Sequence, residues 1–143
     1  MRYHAYLIRS LIAICFICAA LAGTAQFKSG EVNWTRDGSG LYEIQDNRLL
    51  RINPLATQQV TILASAEQLT PDGKDKPLAI ADFEISSDDN LILIFTNTAR
   101  VWRYNTRGDY WLLNRTTGVL RQIGRDKPAQ SLMYAKLSPD GTR

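Results

Sequence analysis

Cysteine and histidine are almost missing from this 143-residue sequence, and the few present lie at its start. The two cysteines are Cys15 and Cys18, and the one histidine is His4. From Gln26 to Arg143 there is neither a thiol nor an imidazole. That stretch can form no disulfide, no Cys/His zinc site, no cysteine nucleophile and no Ser-His-Asp triad of its own. Sustained apolar spacing at i, i+3, i+4 and i+7 is also lacking after Gln26, which argues against amphipathic helices. Charge of one sign is scarce as well. Seventeen basic residues face fourteen acidic ones, and setting Arg2 and Arg9 aside leaves fifteen against fourteen. A clustered basic surface of the kind nucleic acid requires is not expected. Gly-rich phosphate cradles are absent, and the acidic pairs Asp88-Asp89 and Asp72 with Asp75 sit in no regular calcium loop, so neither cofactor nor metal is expected.

What is present begins with a targeting layout. Arg2 and Arg9 precede an unbroken apolar run of 13 residues, Leu11 to Gly23, followed by the small residues Gly23-Thr24-Ala25. The run falls short of the roughly 20 residues that span a bilayer. Residues 1–25 read as a signal-peptide helix with Gln26 as the new N-terminus, and residues 26–143 as the exported part. An uncleaved membrane anchor is the competing reading. A lipoprotein is disfavoured, because Ile14 and Ile17 stand where a small residue is needed before the cysteines. An export signal without later cysteines points to a periplasmic or secreted protein, with no stable membrane span after cleavage.

The exported part has the pattern of strands. Leu41–Gln45 and Arg48–Ile52 flank Asp46-Asn47, a pair that tolerates positive φ and predicts a tight hairpin. Val60–Ala64 is a third run. Ser65 to Lys76 is polar, contains Pro71-Asp72-Gly73 and reads as a surface connection. Asp82–Ser86 is a short strand, followed by a turn and by Leu91–Phe95, continuously apolar as in a strand buried on both faces. Asp109–Asn114 is the next strand, and Arg115 to Gly118 closes a hairpin onto Val119–Ile123. An internal repeat runs through these elements. VNWTRDG begins at Val32, FEISSDD at Phe83 and AKLSPDG at Ala135, with offsets of 51 and 52 residues. Four strands per unit at this period is the signature of propeller blades. The expected fold is all-β, a partial β-propeller of about two four-stranded antiparallel blades plus the first strand of a third.

One connection stands out. Thr98 to Gly108 reads as an 11-residue polar loop between the second and third strands of the second blade. Hairpin loops normally hold two to five residues, and long loops on rigid scaffolds tend to carry function. This one holds Arg100, Trp102, Arg103, Tyr104, Asn105 and Arg107. Guanidiniums beside flat apolar walls can grip carbonyls or carboxylates in a planar fork. A purely structural alternative pairs these arginines with acids such as Asp109 and packs the aromatics onto the blade. Asn33-Trp34-Thr35 and Asn114-Arg115-Thr116 fit the glycosylation pattern but read as ordinary strand and turn residues.

The run TNTARVWRYNTRGDYWLLN, followed after about 20 residues by SPDG, resembles the N-terminal propeller of the dipeptidyl peptidase IV family of serine peptidases. That resemblance implies a parent enzyme that releases X-Pro and X-Ala dipeptides from peptide N-termini. It implies that Arg103 holds the substrate's N-terminal dipeptide by its carbonyl, while Trp102 stays structural. The family's glutamate pair has no counterpart here, because no two glutamates are adjacent. The catalytic Ser, Asp and His are expected in a C-terminal α/β-hydrolase domain beyond Arg143, so this chain alone is expected to be inactive. Expected partners are the peptide substrate, that hydrolase domain and a second copy of the full-length protein, with no nucleic acid. The rival class is a non-catalytic periplasmic propeller of the Tol-system or WD-repeat kind, an interaction scaffold sharing the Asp-Gly turns.

Overall fold

The computed structural model describes residues 32–56 and 59–141. The expected signal-peptide helix of residues 1–25 lies outside the described residues. What is described is all-β. The first sheet is a meander of β1 (Asn33–Trp34), β2 (Leu41–Gln45), β3 (Arg48–Asn53) and β4 (Gln59–Ala64), paired in chain order and antiparallel. The second repeats the pattern with β5 (Asp82–Ile85), β6 (Leu91–Val101), β7 (Tyr104–Asn114) and β8 (Leu120–Ile123). A short β9 (Leu132–Met133) also pairs with β7.

Local chemistry dictates the turns. Asp46 and Asn47 both have positive φ, 50° and 55°, between the paired residues Gln45 and Arg48. This is the two-residue hairpin whose twist suits antiparallel strands. The three repeat copies share one device. A hydroxyl residue (Thr35, Ser86 or Ser138) accepts at its carbonyl from the N–H three residues on, that of Gly38, Asp89 or Gly141, at 2.9, 3.0 and 2.9 Å. Each of those third residues has positive φ. In two copies the carboxylate two residues on receives the hydroxyl: Ser86 Oγ donates to Asp88 at 2.5 Å and Ser138 Oγ to Asp140 at 2.6 Å. The repeat read from sequence is therefore a repeat of turn geometry.

Hydrogen bonds at the first two of these turns hold their carboxylates, Asp37 and Asp88, below the ordinary range. Asp37 is lowered by the Thr35 hydroxyl and then by Ser39, and Asp88 by the Ser86 hydroxyl and then by the Asn90 N–H. Folding thus favours the ionised forms. Their contribution is present above the unfolded carboxylate pKa of about 4 and is lost as pH falls through the depressed folded values. The urea midpoint of Asp88→Asn is expected to lie below that of the parent near neutrality. It should fall less between about pH 6 and about pH 3. An unchanged slope would show that this turn does not contribute to acid sensitivity.

The core lies between the sheets. Leu49, Leu63 and Ala64 from the first sheet meet Ile92, Ile94 and Leu113 from the second. A bulge at the Leu49/Leu50 register shift leaves Leu63 unpaired, so that consecutive residues Leu63 and Ala64 both reach the core. Leu93 points to the opposite face of β6. There Phe95 stacks on Tyr110 with ring centroids 4.8 Å apart. Ile92, Leu93 and Ile94 are all buried, as the unbroken apolar run requires. Polar links join the sheets as well. Arg115 donates to the carbonyls of Leu63 at 2.9 Å and Asp89 at 2.7 Å. Arg51 pairs with Asp89 at 3.3 Å and Asp37 at 3.4 Å. The Tyr42 hydroxyl reaches Asp89, and its pKa is pushed up, first by burial and then by that carboxylate.

Three expectations are corrected. Ser65 to Lys76 is not merely a surface connection. Ser65 and Gln68 form a reciprocal capping box, each accepting from the other's backbone N–H, at 3.2 and 3.1 Å. The single helical turn they start carries Leu69 into the core, fully buried. Ala135–Leu137 is not a strand, because a strand needs a ladder partner and this segment has none among the described residues. The chain instead leaves β9 beside β7 and reaches β5, where Lys136 pairs with Glu84 at 3.5 Å. Finally, Thr98 to Gly108 is no loop but the outer part of one long hairpin. Two stacked four-stranded meanders, each opening on the same turn, are the architecture of a partial β-propeller.

Candidate functional site

The β6–β7 hairpin carries the residues singled out from the sequence. Its strands run 11 residues each and turn through Trp102 and Arg103 alone. Polar composition does not make this segment a loop, because the inward-facing backbone groups of a two-stranded ladder pair with each other, the outward-facing ones meet water, and no apolar face is required. Trp102 has φ of 60° and Arg103 does not share the positive sign, the pattern of a turn that usually takes glycine at its first position. A tryptophan held there is strained.

The hairpin is bent on the way to its tip. After the Thr96↔Asp109 pair the next is Ala99↔Arg107, so Asn97 and Thr98 oppose Gly108 alone. The following pair is Arg100↔Asn105, with Thr106 the extra residue on β7. One bulge on each strand cancels the other, and the tip regains the register of the base. Bulges turn strands and re-aim side chains, and they concentrate beside functional sites. Asn97, inside the first bulge, has φ of 46°.

The three guanidiniums expected to act together are sorted by the fold. Arg100 donates Nε to the Trp102 carbonyl at 3.2 Å and so braces the turn. Arg107 donates Nε to the Gln130 carbonyl at 3.0 Å. Arg103 is exposed, and no hydrogen bond or ion pair of its side chain occurs among the described residues. Neither aromatic packs on the blade. Trp102 is 94% exposed and Tyr104 73%, so the packing against the blade expected of the aromatics is not found among the described residues. Asp109 takes no arginine either. It accepts from Asn97 and from the Gln130 N–H.

The opposite end of the sheets holds a cleft of about 590 Å³ between the β1–β2 and β5–β6 turns, lined in part by Trp34, Tyr42, Phe83 and Asp89. Of its charged side chains, Arg51 pairs with both Asp37 and Asp89, which makes the cleft a joint between the sheets. Sequence reading missed Arg115 in that joint, and no local signal could have revealed it, since its acceptors lie 26 and 52 residues away.

Compared with known families, residues 86–143 match the dipeptidyl peptidase IV (DPP IV) N-terminal region. The match starts in the β5–β6 turn and takes in the bent hairpin, its Trp102-Arg103 tip, β8, β9 and the Ser138–Gly141 turn. No curated protein matches the chain. The part of the chain that carries the exposed guanidinium is thus the part that is similar to the N-terminal region of the dipeptidyl peptidase IV family.

Proposed function

We propose that this chain is the propeller portion of an exported serine dipeptidyl peptidase, periplasmic or secreted, that releases X-Pro or X-Ala dipeptides from peptide N-termini. Arg103 anchors the substrate through a carbonyl of its N-terminal dipeptide. One observation carries this reading. In a hairpin covered by the family match, Arg100 and Arg107 are committed to backbone carbonyls, whereas Arg103 stands exposed at the tip with its fork unengaged among the described residues.

The chemistry suits the task. An exopeptidase that cuts after the second residue has to measure length from the amine end. A donor fixed on a separate rigid element sets that length and holds the scissile bond in register. Arginine's planar, permanently charged fork suits a carbonyl or carboxylate better than a lysine ammonium. Acyl-serine chemistry would be supplied by an α/β-hydrolase domain of the same polypeptide, which can form homodimers.

In the complete enzyme, Arg103→Ala is expected to lower kcat/KM for dipeptide-releasing substrates about 10- to 100-fold, the worth of one hydrogen bond to a charged group. Arg103→Lys should recover only part of it. The rate of active-site labelling by a small sulfonyl fluoride should stay the same. Equal loss of labelling and turnover would return Arg103 to a structural role, and unchanged turnover would remove it from the substrate site.

A further inference from the structure

The place where the hairpin bends is also where its ladder is weakest, because Asn97, Thr98 and Gly108 stand outside the register pairs. A closed ring of side-chain bonds spans that gap. Asn97 Nδ2 donates to Asp109 Oδ2 at 2.7 Å. The Gln130 N–H donates to Asp109 Oδ1 at 2.8 Å. Gln130 Nε2 donates to Asn97 Oδ1 at 3.1 Å and completes the circuit. Arg107 Nε adds a fourth bond, to the Gln130 carbonyl. Three segments are tied together: the bulge of β6, the base of β7, and the chain entering β9, which itself pairs with Arg107 and Gly108.

We propose that Asn97, Asp109 and Gln130 form a positioning clamp that fixes the bend of the β6–β7 hairpin and, through it, the location of Arg103. This rests on the anchoring role given to Arg103 above. Isolated polar contacts on a surface contribute little. This set differs in two respects. Both carboxylate oxygens of Asp109 and both ends of the Asn97 amide are used, and two of the bonds are charge-assisted. Asn97 and Gln130 are also held at positive φ, 46° and 59°, conformations that persist when the surroundings over-determine them. Beyond the clamp the tip is mostly solvent-exposed, so a small rotation at the bulge is carried undamped to Arg103.

The test exchanges donor and acceptor. Asn97→Asp keeps size and tolerance of positive φ but sets two carboxylates against each other. Adding Asp109→Asn restores every contact with the roles reversed. The amide then at position 109 donates to the carboxylate then at position 97, and its oxygen still accepts from the Gln130 N–H. In the complete gene product, amide exchange of residues 99–107 is expected to quicken about tenfold in Asn97→Asp, the scale of coupling within one network. The amides of Ile92, Ile94 and Leu113 should not change. KM for dipeptide-releasing substrates should rise with kcat held, and the double exchange should restore both readouts. Unchanged exchange in Asn97→Asp, failure of the double variant to recover, or a loss that reaches the core amides would each overturn the clamp. Should Arg103→Ala leave turnover intact, the anchoring role falls, while the exchange data still decide whether the ring holds the bend.

Discussion

Leu69→Ala is expected to lower the unfolding free energy of this chain by about 2–5 kcal/mol, the cost of emptying a well-packed leucine site. Leu69 is fully buried and packs in one cluster with Leu49, Leu63 and Ala64 of the first sheet and Ile92, Ile94 and Leu113 of the second. Its backbone is fastened at both groups. The N–H donates to the Ser65 carbonyl at 3.1 Å, and the carbonyl accepts from the Leu78 N–H at 2.9 Å. With the Ser65–Gln68 capping box also in place, the turn cannot sink inward to fill the space. The cost should therefore fall in the upper part of the range, because the cavity term persists when surroundings fail to relax. Leu55→Ala is the control. Leu55 is 92% exposed and should change stability by no more than about 0.5 kcal/mol. Urea midpoints at a fixed slope decide the matter. A Leu69 effect as small as that of Leu55 would mean the inter-sheet core does not include this turn.

Leu69 also marks the limit of what sequence can show. The elements legible in the sequence are those whose cause is local. Asp46-Asn47 specifies its own turn, Leu91 to Phe95 specifies a strand buried on both faces, and the hydroxyl-x-carboxylate pattern at Thr35, Ser86 and Ser138 specifies the repeat. In the Ser65–Lys76 stretch one core leucine is surrounded by Glu, Gln, Thr, Asp and Lys, and the average polarity hides it. The β6–β7 hairpin is illegible for a related reason. Its outer half is largely exposed, so no clean alternation marks it, and two bulges break what period remains. Arg103 is singled out in the sequence only by the family resemblance of its Trp-Arg pair, since spacing alone favours a structural reading of all three arginines. Its neighbours Arg100 and Arg107 are told apart from it only by carbonyls that the fold brings close.

Gly108→Ala should couple stability to function where Leu69→Ala does not. Gly108 is not a positive-φ glycine, so backbone freedom is not the reason for it. Space is the reason. A Cβ at this position would drive into the Phe95 ring and lie 2.7 Å from the Thr96 carbonyl oxygen. Phe95 cannot swing away without leaving its stack on Tyr110, and the Thr96 oxygen belongs to the backbone at the bulge. The strands must part there, at an overpacking cost of about 1–3 kcal/mol. Because the parting occurs at the bend, the tip moves with it. In the complete enzyme, under conditions where the fold remains populated, kcat/KM for peptides should fall toward the value of Arg103→Ala while small-inhibitor labelling persists. Gly118→Ala separates the two effects. Gly118 has φ of 71° with nothing within 4 Å of an added Cβ, so it should lose about 1–2 kcal/mol through backbone strain alone. It lies in the turn at the other end of β7, and peptide turnover should be unaffected. If both glycine variants lose stability and neither loses turnover, the bend of the hairpin has no bearing on the substrate, and the exposed guanidinium at its tip requires another explanation.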